Sequence, residues 1–185
     1  AADALSIRSK IEHRDYRDLA NVTIFEEIDR KVIVDLAAAV AAQSVTPREI
    51  ADVVHKRQES LWAAKYAKLY EAIHSASELL AAIADLPNVI ASADFGLEKY
   101  QSDWFRVDQL YRWFTHAYRT ADFQKPLEAL KTEVDKQYAN TYLYAFGARW
   151  QQILEPTFQW KAAAIEPQAK FFQRHVAPIV KDGRT

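Results

Sequence analysis

The chain has 185 residues, no cysteine, 26% charged residues and a formal net charge of -1. Disulfides, thiolate zinc sites and thiol catalysis are excluded, and near-neutral charge gives no support to a nucleic-acid-binding surface. Three glycines, abundant alanine and no apolar run of membrane-spanning length favour helices over sheets and argue against a spanning segment. The expected fold is all-α: an irregular bundle of about five to seven helices, with long antiparallel members and an aromatic-rich core. Methionine is absent even at residue 1, so an excised piece of a longer protein is expected. The absence of cysteine and of any signal-like start fits a cytoplasmic location with no membrane partner.

Residues 1–22 read as an N-terminal arm or short helix, with Ile7 and Ile11 on one side and a charge-dense stretch after them. A bundle core is expected over 23–156. Its first helix covers 24–42, with Thr23 and Glu26 as a capping box and Phe25, Ile28, Val32, Ile33, Leu36 and Val40 as its stripe. Thr46, Pro47 and Glu49 form a second compact helix start. Ile50, Val53 and Val54 give that helix its apolar side, and its pattern runs toward the next segment without a clear break.

From Trp62 the apolar positions keep four-three steps through Tyr66, Leu69, Ile73, Ala76, Leu80 and Ile83. This predicts a helix over 59–84, about 39 Å long at 1.5 Å per residue. Ser92 is placed to cap the next helix. There Tyr100, Trp104, Val107, Tyr111, Phe114 and Tyr118 make a broad stripe, five of the six aromatic. Pro126 opens a further helix whose inner side holds Leu127, Leu130, Val134, Tyr138, Tyr142, Ala145, Trp150 and Ile153. Gly147 falls inside that pattern and implies a close contact or a small bend. Glu155 and Pro156 limit it. The last section, 157–185, reads as a C-terminal helix and linker carrying Phe158, Trp160, Phe171, Phe172, Val176, Ile179 and Val180. Over 160–185, five cations (Lys161, Lys170, Arg174, Lys181, Arg184) face two acids (Glu166, Asp182), a net +3.

No reaction centre emerges. The five histidines (His13, His55, His74, His116, His175) show no metal-ligand spacing. A di-metal bundle needs two Glu-x-x-His pairs, and only Glu71 with His74 qualifies. No glycine-rich phosphate loop or nucleophile elbow occurs. The candidate residues are therefore structural: an aromatic core of Trp62, Tyr66, Tyr100, Trp104, Tyr111, Phe114, Tyr138 and Trp150, and a polar network of Arg57, Glu59, Asp108 and Arg112. Asp108 lies one turn before Tyr111, four residues before Arg112 and beside the stripe. There it is placed to accept a hydrogen bond from a tyrosine of a neighbouring helix and fix the register. Arg57, Glu59, Trp62 and Tyr66 form a second polar–aromatic group, and Glu133, Tyr138, Asn140 and Tyr142 a third. Aromatics in this number also suit a protein-binding face.

Taken in order, IFEEIDRKVIVDL at 24–36, the stretch 46–80, SDWFRVDQLYRWF at 102–114, VDKQYANTYLYAFGARWQQIL at 134–154 and AKFFQRHVAPIV at 169–180 resemble the helical middle region of PglZ proteins, alkaline-phosphatase-like components of type one BREX phage-defence systems. That resemblance implies a non-catalytic scaffold or interaction domain, with the metal-dependent phosphatase or phosphodiesterase in a separate C-terminal domain. It implies no cofactor in this chain and a divalent metal in that later domain. The implied partners are the rest of the PglZ-like chain, a DNA methyltransferase and other defence proteins. The alternatives are an independent protein-binding or nucleic-acid-binding module, using the basic tail and exposed aromatics, and a bundle metalloenzyme.

Overall fold

The computed structural model describes residues 6–154 and 168–181, which are helices joined by turns, with no strand among them. Two short helices, α1 (Ile7–Ile11) and α2 (Tyr16–Leu19), come first. Ile11, Tyr16, Leu19 and Ala20 are buried in the common core, so this end packs on the bundle. Helix α3 (Glu26–Ala41) buries Ile28, Val32, Ile33, Leu36 and Val40, the stripe its spacing predicts. Its expected capping box does not form. Phe25 occupies the cap without a side-chain hydrogen bond, because the Glu26 carboxylate is taken by Lys65 and Tyr66. The Thr23 carbonyl instead accepts from the Leu61 amide.

Helix α4 (Pro47–Arg57) has the capping box that its sequence announces. The Glu49 amide donates to Thr46 Oγ1, and the Thr46 amide donates to the Glu49 carboxylate at 2.9 Å. The pattern does break after Arg57. A turn at 58–62 lets Ser60 fold back, so α5 begins at Ala63 rather than at 59 and runs to Ala84. At 22 residues α5 is about 33 Å long.

Helix α5 is the centre of the molecule. Its four-three seam is buried from Tyr66 onward, and so are Tyr70, Ala72, Ser75, Ser77 and Leu79 on its other sides. A helix apolar nearly all round belongs inside. It packs most extensively on α7 (Phe105–Thr120), and also on α3 and α4. The C-terminal turns of α5 and the first turns of α7 line one groove, from Glu78 to Leu86 and from Asp103 to Leu110, so the pair is antiparallel.

Helix α6 (Ala93–Lys99), capped by Ser92, leads through a wide π-helical turn, Tyr100–Trp104, straight into α7. The return rod is also continuous. A 3-10 turn (Lys125–Leu127) leads into α8 (Glu128–Lys136), then a π-helical stretch (Gln137–Phe146), then α9 (Gly147–Leu154).

The spacing of the return rod explains its π-helical stretch. Leu130, Val134, Tyr138, Tyr142, Phe146 and Trp150 recur every fourth residue. In an α-helix each such step overshoots a full turn by about 40°. Wider winding over 137–146 holds the row against the core. A three-four pattern leads to Ala145, whereas the structure buries Phe146. Gly147 has open space where a Cβ would project, so it serves no close contact. Gly96 does: a Cβ there would meet the Trp150 ring at 2.5 Å and Ile90 at 2.9 Å. In the stretch 168–181, α10 (Ala177–Lys181) follows a π-helical turn at Phe172–Val176. Phe158, Trp160 and the 182–185 end lie outside the described residues, as does the expected stop at Glu155 and Pro156.

Candidate functional site: three carboxylates wired into the bundle

The most buried polar group is an ion pair between α3 and α4. Asp29 and Arg57 are both fully buried. Arg57 Nε donates to Asp29 Oδ1 at 3.0 Å and Nη2 to Oδ2 at 2.6 Å, a bidentate fork. Nη1 donates to the carbonyls of Ala20 and Val22, at 3.2 and 2.7 Å. Ser60 Oγ and Tyr70 Oη donate to the same carboxylate, at 2.7 and 2.6 Å. Burial, more than the neighbouring Asp29 charge, pushes the Tyr70 hydroxyl pKa far upward, so Tyr70 stays a donor. One carboxylate thus joins α3, α4, the 58–62 turn and α5, while the guanidinium ties down the end of α2. Glu59 is not part of it: it lies in the 58–62 turn, past the end of α4, and is exposed. Asp29 is the functional residue that the sequence pattern marks but proximity does not. It sits one position after Ile28 and one turn before Ile33, a carboxylate inside an apolar stripe.

The second carboxylate is Glu26. Lys65 Nζ donates to its Oε1 at 2.6 Å, Tyr66 Oη at 2.7 Å and Arg30 Nη2 at 3.0 Å. The Lys65 hydrogen bond, then that of Tyr66, holds the Glu26 carboxyl pKa down at about 2. A depressed carboxylate pKa contributes stability that is complete above the unfolded value, near 4.5, and is lost as pH falls toward 2. Glu26→Gln is therefore expected to flatten the decline of the urea midpoint between pH 4.5 and 2 relative to the wild type. An unchanged slope would show that Glu26 carries none of it.

The third is Asp108. Tyr138 and Tyr142 donate to it from the return rod, at 2.7 and 2.8 Å, and Tyr100 donates from its own rod at 3.1 Å. Tyr111 stacks flat on Tyr138, centroids 3.7 Å apart, and donates to Asp135 Oδ1 at 3.2 Å. Lys131 closes that group on Asp135. Burial, then the Asp108 hydrogen bonds, raises the pKa of Tyr100, Tyr138 and Tyr142. Arg112 is exposed and makes no ion pair with Asp108, whose acceptor sites are filled by tyrosines. Glu133 serves Lys136 and Gln137 rather than a tyrosine, and Asn140 is exposed.

Of the aromatic residues, Tyr66, Trp104 and Phe114 are buried, while Trp62, Tyr111, Tyr138 and Trp150 are half-buried at its edge. Trp62 donates its indole N–H to the Ile24 carbonyl at 3.1 Å. Trp104 packs edge-on against Phe146, centroids 5.1 Å apart. Tyr100 is not core. It is 40% exposed, because the π-helical turn carries it to the rim, where only its hydroxyl is engaged.

Each of these three carboxylates accepts its hydrogen bonds from donors of its own chain. Among the described residues no group of three or more His, Asp or Glu is placed to hold a metal ion. No described helix is long and apolar enough to cross a membrane.

No family profile matches the chain, and no solved structure matches it. Among curated proteins it is similar to the alkaline phosphatase-like protein PglZ of Bacillus cereus, 29% identical over 133 residues. The match takes in 70% of this chain but 16% of that protein. What the chain shares with PglZ is thus a distant, partial likeness.

Proposed function

We propose that this chain is a non-catalytic helical scaffold and interaction domain of a longer PglZ-like defence protein. The observation that carries the reading is the likeness to a small part of an alkaline phosphatase-like protein, in a chain whose two buried charged side chains among the described residues, Asp29 and Arg57, pair with each other between helices. In this reading the metal-dependent phosphatase or phosphodiesterase chemistry, with its divalent metal, resides in another domain of the longer protein. The helices here position that domain in the cytoplasm and meet partner proteins of the defence system, a DNA methyltransferase among them. The segment from Gln168 to Lys181 suits the join: Phe171, Phe172, Ile179 and Val180 are more than half exposed, an apolar side in need of a neighbour.

The test is direct. The purified chain is assayed on a phosphomonoester and a phosphodiester with magnesium, manganese or zinc, and its retained metal is measured after dialysis. The expected result is no turnover above background and no stoichiometric metal. Metal-dependent turnover that is abolished by a substitution in this chain would overturn the reading.

A further inference from the structure

Four exposed apolar side chains gather on one side of the bundle. Ile24 and Leu61 are 62% and 76% exposed, and Val34 and Phe123 about half exposed. Hydrogen bonds bring the first two together, Trp62 indole to the Ile24 carbonyl and Leu61 amide to the Thr23 carbonyl. Lys65 links them to the others, its Nζ 5.6 Å from the ring centroids of both Trp62 and Phe123. Between α3, α5 and the 123–126 connection runs an apolar groove, floored by Ile33 and Leu69 and walled by Val34, Phe123 and Pro126.

The groove itself is lined by two cations, Arg30 and Lys125, while Asp35 and Asp122, next in the chain to Val34 and Phe123, lie outside its lining. Arg30 and Lys65 share one carboxylate, Glu26. Lys125, at the groove wall, has no ion-pair partner among the described residues, and no carboxylate lines the groove. An apolar groove with an aromatic wall and unpaired or shared cations beside it is the complement of an acidic amphipathic segment. We propose that this face docks such a segment of a partner protein. Its apolar side chains enter the groove beside Val34 and Phe123, and its carboxylates lie against Lys125, Arg30 and Lys65. The proposal rests on the interaction-domain reading and names the surface and the partner chemistry.

The probe is a fluorescein-labelled helical peptide with leucines along one side and flanking glutamates; its control carries lysines in place of the glutamates. Anisotropy is expected to show saturable binding of the acidic peptide that weakens with salt, and none of the basic one. Val34→Glu with Lys125→Glu, two exposed changes, is expected to weaken binding at least about tenfold while the thermal midpoint stays unchanged. No saturable binding, equal binding of both peptides, or full binding by the double variant would overturn the proposal. So would sedimentation showing that this face already joins two copies of the chain, with the double variant monomeric. Such failures leave the scaffold reading to be decided by the hydrolysis and metal measurements.

Discussion

Arg57→Met is expected to destabilise the folded chain by about 3–5 kcal/mol, read as a shift of the urea midpoint at constant slope. Methionine fills much of the same volume, so the loss is electrostatic rather than a cavity. It strips the bidentate fork from Asp29, which is fully buried, and leaves the Ala20 and Val22 carbonyls without their donor. Ser60 and Tyr70 still donate to Asp29, but neither brings positive charge. Adding Asp29→Leu to Arg57→Met is expected to recover part of the loss, since an uncompensated buried charge is worse than an apolar pair. The double variant stays below the wild type because Ser60 and Tyr70 then lack their acceptor. A loss under 1 kcal/mol for Arg57→Met would mean that Asp29 is reached by water or is protonated.

Asp108→Ala is the second large effect, about 2–4 kcal/mol. Three tyrosine hydroxyls lose one acceptor together. Tyr100 is exposed and rehydrates; Tyr142 is buried and cannot. Tyr142→Phe in the Asp108→Ala background is therefore expected to restore about 1 kcal/mol, although the same change in the wild type removes a hydrogen bond. The sign reversal is the informative part. A surface pair between Asp108 and Arg112 would contribute only a few tenths of a kcal/mol and would show no dependence on Tyr142.

These two residues also mark how far the sequence could be read. Helix positions followed from periodicity, and α3 and α5 carry the predicted stripes because one wrong step turns a side chain by about 100°. Asp108 stood out because it lies beside an aromatic stripe. The identity of its donors needed the return rod, and Tyr142 is 34 residues away. Proximity along the chain pairs Arg57 with Glu59, whereas its partner, Asp29, lies 28 residues earlier. The signal was present in the apolar neighbours of Asp29. The π-helical stretch was legible in a row of six residues four apart, but a rigid three-four template passes over Phe146. The Thr23 cap failed for a tertiary reason: Glu26 gains more from Lys65, Tyr66 and Arg30 than from a local amide.

A body whose buried charged residues hold its helices together is rigid where those residues lie. Native-state hydrogen exchange measures this directly. Amides of Ile28–Val40 in α3 and Leu69–Ile83 in α5 are predicted to exchange only through global unfolding, and to lose protection in step with overall stability in Arg57→Met. Exchange of these amides through local openings well below the global free energy, unaffected by Arg57→Met, would contradict it.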